Sequence, residues 1–246
     1  MNPLNTIKSL FSSFGSKDQS VVGIDIGTSA IKVVQLIRKN GRAVLETYGA
    51  LSLGTYAKLD VGSITNLSTT ELTGALLDVI RESGVTTTAG SVSIPASASL
   101  VFIIDIPKTI DEKTIPSIIP TEARKYIPVP INEVSLDYWV IPEREESNQA
   151  DIINTNTKRE VLIAAIHNET ISKYQDIVKA SHIENAFSEI ETFSAMRSTF
   201  GHELTTILIL DFGASKTKLA IVEYGIIKSF HITNRGSFDI TNALSK

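Results

Sequence analysis

Asp25 and Asp211 each stand near the end of an apolar run, and each is followed by a glycine two residues on, a serine four residues on and a lysine seven residues on. The two sets lie 186 residues apart, in "GIDIGTSAIK" from Gly23 and "ILDFGASKTK" from Ile209. A carboxylate within an apolar strand is costly to bury unless something pairs with it. Hydrated Mg²⁺ is a natural partner, because it keeps several waters and needs only one or two carboxylates nearby. The small residues after each Asp are Gly27, Thr28, Ser29 and Ala30 in one stretch and Gly213, Ala214 and Ser215 in the other. They allow backbone N–H groups to approach a phosphate closely. One copy alone is an ordinary Asp-x-Gly turn signal. Two matched copies facing each other would clamp a polyphosphate. The other phosphate motifs fail, since "GASKTK" lacks the second glycine of a P-loop and "GIDIGTSA" does not fit the dinucleotide pattern.

The elements that must position these residues read as two strand–turn–strand units. "VVGIDIG" and "IKVVQLI" flank the first turn, with a third strand in "AVLETYGALSL"; "TTILILDFG" and "KTKLAIVEYG" flank the second, with "IIKSFHIT" following. Between them, "STTELTGALLDVIRESG" predicts a helix with a Ser68–Glu71 capping box, an apolar face of Leu72, Ala75, Leu76 and Val79, and a stop at Gly84. Seven of the eight prolines fall between Pro95 and Pro142, which marks an inserted subdomain. Within it Pro116 and Pro120 predict a helix that starts late or kinks. "EREESNQADIINTNTKRE" is polar and aperiodic, the pattern of an exposed hairpin loop. Strand "VLIAAI", a helix with Asn168 placed as its cap, strand "ENAFSEI" and helix "ETFSAMRSTF" then give a βαβα texture typical of α/β layers.

Composition bounds the chemistry. With a net charge of −4 there is no cationic field to gather nucleic acid. The absence of cysteine removes disulfides, thiolate nucleophiles and Cys-ligated metals. No apolar run approaches the roughly 20 residues of a membrane-spanning helix, so a cytoplasmic protein is expected. Leu4, Ile7, Phe11 and Phe14 have the spacing of an amphipathic helix in an otherwise loose tail. His167, His182, His202 and His231 are isolated and read as ordinary histidines. Glu189 and Glu191 sit at a strand-to-helix step, where they could orient a water toward a phosphate; Glu191 equally suits a helix first turn.

"VVGIDIGTSAIKVVQL" and "LILDFGASKTKLAIVEYG" resemble the phosphate 1 and phosphate 2 motifs of the actin-like ATPase superfamily, and "FSEIETFSAMRST" resembles its connecting helix. Within that superfamily, "SVSIPASASLVFIIDIP", "EARKYIPVPINEVSLDYWVI" and "GSFDITNALS" are similar to the PilM family of type IV pilus assembly proteins. The resemblance implies an actin-like (ribonuclease H-like) α/β fold with an inserted α+β subdomain. It implies ATP and Mg²⁺ as cofactors, with Asp25 and Asp211 holding the metal through water. Gly27, Thr28 and Ser29 would cradle phosphates opposite Gly213, Ala214 and Ser215, while Lys32 reaches a phosphate oxygen; Lys218 is expected to be a surface lysine on its hairpin.

The expected organisation is a tail (1–19), a first lobe in two parts (20–90 and 160–205), an insert (91–159), and the start of a second lobe (206–246). The Gly-rich adenosine turn of the second lobe has no counterpart before Lys246, so a longer protein is expected. The expected function is a scaffold peripheral to the inner membrane, at most a weak ATPase, that docks the N-terminal peptide of a PilN-like membrane protein. A small-molecule kinase and an FtsA-like division protein are the alternatives.

Overall fold

The computed structural model describes residues 19–142, 157–200 and 205–245. The N-terminal amphipathic spacing and most of the polar loop lie outside them.

Alternation of apolar residues builds the first sheet. In β1 (Ser20–Ile26), Val22, Ile24 and Ile26 point to one face and are buried, while Gly23 and Asp25 point to the other. β2 (Ala30–Lys39) buries Ile31, Val33 and Ile37 on the same side, and β3 (Arg42–Ser52) completes an antiparallel meander. β4 (Ala89–Ile94) joins β1 in parallel, and β8 (Glu184–Ile190) joins β4 in parallel, giving the order β3-β2-β1-β4-β8.

Two amphipathic helices cover the apolar face. The first, α1 (Thr69–Glu82), carries the predicted capping box: the Ser68 and Glu71 side chains each accept the other residue's backbone N–H. It sets Leu72, Ala75, Leu76 and Val79 into the core. The second helix, numbered α3 in chain order (Asn168–Ala180), adds Tyr174, Ile177 and Val178. Asn168 is not the cap expected of it. Its side chain accepts a hydrogen bond from Ser135 and donates one to the carbonyl of Asn132, so it ties the helix start to the insert.

The insert is a three-stranded antiparallel sheet, order β5-β7-β6, of β5 (Ser99–Pro107), β6 (Val134–Val140) and β7 (Lys158–His167). Its helix α2 (Ile115–Ala123) starts late, as the prolines require. Pro116 sits in the first turn, where no N–H is needed, and Pro120 lies inside at the cost of one backbone bond. Ile104, Ile106, Ile115, Ile119 and Ile163 form this subdomain's own core. The sheet boundaries differ from the sequence reading at two places. The strand from residue 89 belongs to the first sheet although the insert was expected from 91, and β7 pairs within the insert sheet although residues from 160 were assigned to the first lobe. Strand pairing settles sheet membership, and it is invisible in composition.

After α4 (Glu191–Thr199) come β9 (Thr206–Phe212), β10 (Thr217–Glu223) and β11 (Ile226–Thr233), an antiparallel sheet of order β11-β10-β9, then α5 (Ser237–Leu244). The second copy differs from the first in the exposure of its apolar face. Leu208, Leu210 and Phe212 hold the places that Val22, Ile24 and Ile26 hold in β1, yet they are 60%, 60% and 50% exposed. The counterpart face in the first sheet lies beneath α1 and α3.

The second-lobe sheet rests on the insert, where Ile226 meets Ile141 and Leu162 beside Trp139 and Phe193, and Lys228 pairs with Glu160.

Candidate site between two matched hairpins

Each hairpin closes in the same way. The N–H of Gly27 donates to the Ala30 carbonyl at 3.0 Å, and that of Gly213 to the Lys216 carbonyl at 3.0 Å. A Cβ on Gly27 would lie 3.1 Å from the Ala30 oxygen, and one on Gly213 only 2.9 Å from the Lys216 oxygen. The tightness of the turns themselves disfavours a side chain at Gly27 and forces a shift for one at Gly213. The first turn is braced from its own lobe: the Thr28 carbonyl accepts from the N–H and hydroxyl of Thr65, and that of Ser29 accepts from the Leu53 N–H. The second turn is braced by the start of α5, whose Ser237 and Phe238 N–H groups donate to the Gly213 and Ala214 carbonyls.

The two turns meet. The Thr28 hydroxyl donates to the Ser215 hydroxyl at 3.1 Å, so residues 187 positions apart form one surface. A polyphosphate between them would have to part this contact.

The carboxylates are held differently. Asp25 is 39% exposed on the face opposite the first-lobe core, and strand alternation therefore spares it deep burial. One oxygen accepts from the Ser93 hydroxyl at 3.0 Å, and the other lies 3.4 Å from Lys32 Nζ. This loosely held carboxylate fits a hydrated divalent ion. Lys32 is largely exposed.

Asp211, the second expected metal residue, is held by an ammonium. Lys218, directly opposite in the ladder, donates to Asp211 Oδ2 at 2.8 Å, and the same ammonium lies 2.7 Å from Glu191 Oε2. The expectation of a surface position for Lys218 is overturned: its side chain is 13% exposed. Burial alone would push this ammonium's pKa down, but hydrogen bonds to Asp211 and Glu191 outweigh burial and hold it above the ordinary lysine value.

Sequence reasoning missed this triad. The only signal was the matched spacing Asp-x₆-Lys, which identifies the cross-strand pair but not Glu191.

Glu191 also accepts the N–H of Ala96 at 2.7 Å. Both oxygens are thus engaged across elements rather than by its own helix. Glu189 is taken up by Arg197 and by Ser194, so it does not face the turns as a free base. The buried Tyr174 hydroxyl lies within the field of both Glu191 and Asp25. Burial first, then these two charges, push its pKa far above the ordinary phenol range. A small cavity of about 10 Å³, roughly one water, is lined by Thr192, Asp211, Lys218 and Phe230 among others; the buried Thr192 hydroxyl has no partner among the described residues.

Among the described residues no three His, Asp or Glu side chains gather into a metal cluster, and no helix is long and apolar enough to cross a membrane. What the site offers is two small-residue turns in contact, two partly exposed carboxylates and one largely exposed lysine.

Comparison with known proteins agrees with this architecture. The chain is similar to a solved PilM–PilN type IV pilus biogenesis complex, at 19% identity and a TM-score of 0.71, covering 92% of this chain and 64% of that one. It is also similar to the cytoplasmic domain of EpsL, an inner membrane component of the type II secretion system of Vibrio cholerae, at 8% identity and a TM-score of 0.54, covering 88% and 71%. The chain therefore spans under two thirds of the length of the PilM protein it matches. These likenesses establish the actin-like ATPase fold expected from the paired turns. The family model described as type IV pilus assembly protein PilM matches residues 23–234, and the chain belongs to that family.

Proposed function

We propose that the protein is a scaffold of type IV pilus assembly that binds ATP with Mg²⁺ between its lobes and docks the N-terminal peptide of a PilN-like inner-membrane protein. The observation that carries this reading is the contact of the two hairpin turns at Thr28 and Ser215, which brings the small-residue turns of opposite lobes together. Membership in the PilM family supports the assembly role, and the similar complex contains PilN.

In this reading Gly27, Thr28 and Ser29 present backbone and hydroxyl groups to one side of the phosphates, and Gly213, Ala214 and Ser215 present theirs to the other. Lys32 would donate to a phosphate oxygen, and Asp25 would hold the metal through its waters. Bound Mg²⁺ supplies charge neutralisation of the phosphates. Thr28 and Ser215, hydrogen-bonded to each other here, would instead turn their hydroxyls to bound phosphates. The protein acts on the cytoplasmic side and reaches the membrane through its partner.

Anisotropy of a labelled PilN-like N-terminal peptide, titrated with the protein with and without ATP and Mg²⁺, tests the proposal. Saturable association whose affinity depends on nucleotide is expected. Lack of association in either condition would remove the partner, and absence of any thermal shift with ATP would remove the nucleotide.

A further inference from the structure

We propose that Lys218 is the built-in cation of the second hairpin: its ammonium fills the place between Asp211 and Glu191 that a divalent ion would need and fastens that hairpin to the first lobe. The inference deepens the nucleotide reading above, and rests on it for its meaning, by assigning the metal to the Asp25 side alone.

Three observations combine. The first is geometric: Lys218 Nζ is 2.8 Å from Asp211 Oδ2 and 2.7 Å from Glu191 Oε2, the separations of charge-assisted hydrogen bonds. A divalent ion at Asp211 would stand against this ammonium, like charge on like. The second is the contrast with the matched copy. Lys32 occupies the same place in its hairpin, yet it is 64% exposed and 3.4 Å from its Asp. One lysine position therefore serves two purposes, reaching outward in the first copy and locked inward in the second. The third is connectivity. Glu191 opens α4 and holds the Ala96 N–H after β4 with its other oxygen, so the chain of contacts runs from β10 through Lys218 and Glu191 into the first lobe. The small cavity beside the pair is lined mainly by apolar side chains such as Ile209, Ala220 and Phe230.

Lys218 is thus a positioning residue. It holds Asp211 and sets how the second turn approaches the first without any metal.

Mn²⁺ titrations followed by electron paramagnetic resonance on the nucleotide-free protein test the assignment. In the wild type, Asp25→Asn is expected to weaken Mn²⁺ binding, whereas Asp211→Asn changes it less than twofold. Lys218→Met leaves Asp211 and Glu191 as an unneutralised pair and is expected to gain a Mn²⁺ site at least tenfold tighter than any in the wild type. Adding Asp211→Asn to that variant should abolish the gain. Lys218→Arg keeps a cation in place and should bind Mn²⁺ as the wild type does. A tenfold loss of wild-type Mn²⁺ affinity on Asp211→Asn overturns the proposal, and so does a folded Lys218→Met protein with no new site. If Lys218→Met does not fold, the Asp211→Asn comparison still decides. Since no nucleotide or peptide is present, failure of ATP to bind would sink the proposed function and leave this result standing.

Discussion

Gly236 lacks a side chain for a reason of space. Its φ of −143° is open to any residue, but a Cβ there would lie 2.3 Å from the Ala214 oxygen and 2.6 Å from the Gly213 oxygen, both backbone atoms that cannot turn aside. Gly236→Ala should therefore push the second turn away from α5 and cost about 1–3 kcal/mol, the usual penalty of overpacking, read by urea denaturation. An unchanged midpoint would show that the turn yields freely. The sequence displayed this glycine within "GSFDITNALS" but not what it makes room for, because the obstructing atoms belong to a turn more than twenty residues upstream. The same limit hid Lys218. Its partner Asp211 follows from strand pairing, whereas Glu191 reaches it only through the packing of α4 against another sheet. The pairing of the two turns was legible because the chain states the hairpin twice.

At the scale of elements, α1 was readable almost to its ends, since its cap, its apolar face and its terminating glycine are all local signals. Ser68→Ala deletes the acceptor for the Glu71 N–H and half of the reciprocal box, and is expected to lower stability by about 1 kcal/mol in equilibrium denaturation. The proline-bearing α2 was readable in outline, because the cost of each proline falls on its own helix. The start of α3 was not: Asn168 has the residue type of a cap, but Ser135 and Asn132 on a neighbouring segment claim its side chain. β7 likewise has no sequence mark for its partners. Tertiary competition decides such positions, and local pattern does not contain it.

For the whole molecule, ionisation sets a window of stability. Glu46, held by hydrogen bonds from Gln35 and Ser20, Glu71 by Ser68, Asp78 by Tyr56 and Asp239 by the Gly236 N–H all have carboxyls below their ordinary values. Their contribution is complete above the unfolded carboxylate range and is lost as pH falls through the lowered native values. On the other side, burial and then the Asp78 hydrogen bond push the Tyr56 hydroxyl up to about 12. That contribution is intact below the ordinary tyrosine value of 10.0 and fades as pH rises toward 12. Thermal melts by circular dichroism should give a plateau between about pH 5 and pH 10 that declines on both sides, and Tyr56→Phe should make the alkaline limb shallower, with the buried Tyr174 supplying slope that remains. A wild-type curve that stays level to pH 3 would deny these carboxylates any part in stability.

The chain has a single tryptophan, and it lies where the second-lobe sheet is seated on the insert, beside Ile226, Ile141 and Leu162. Any rocking of that sheet changes the water around one indole. These 246 residues consequently carry their own optical gauge of lobe posture, with no dye to attach.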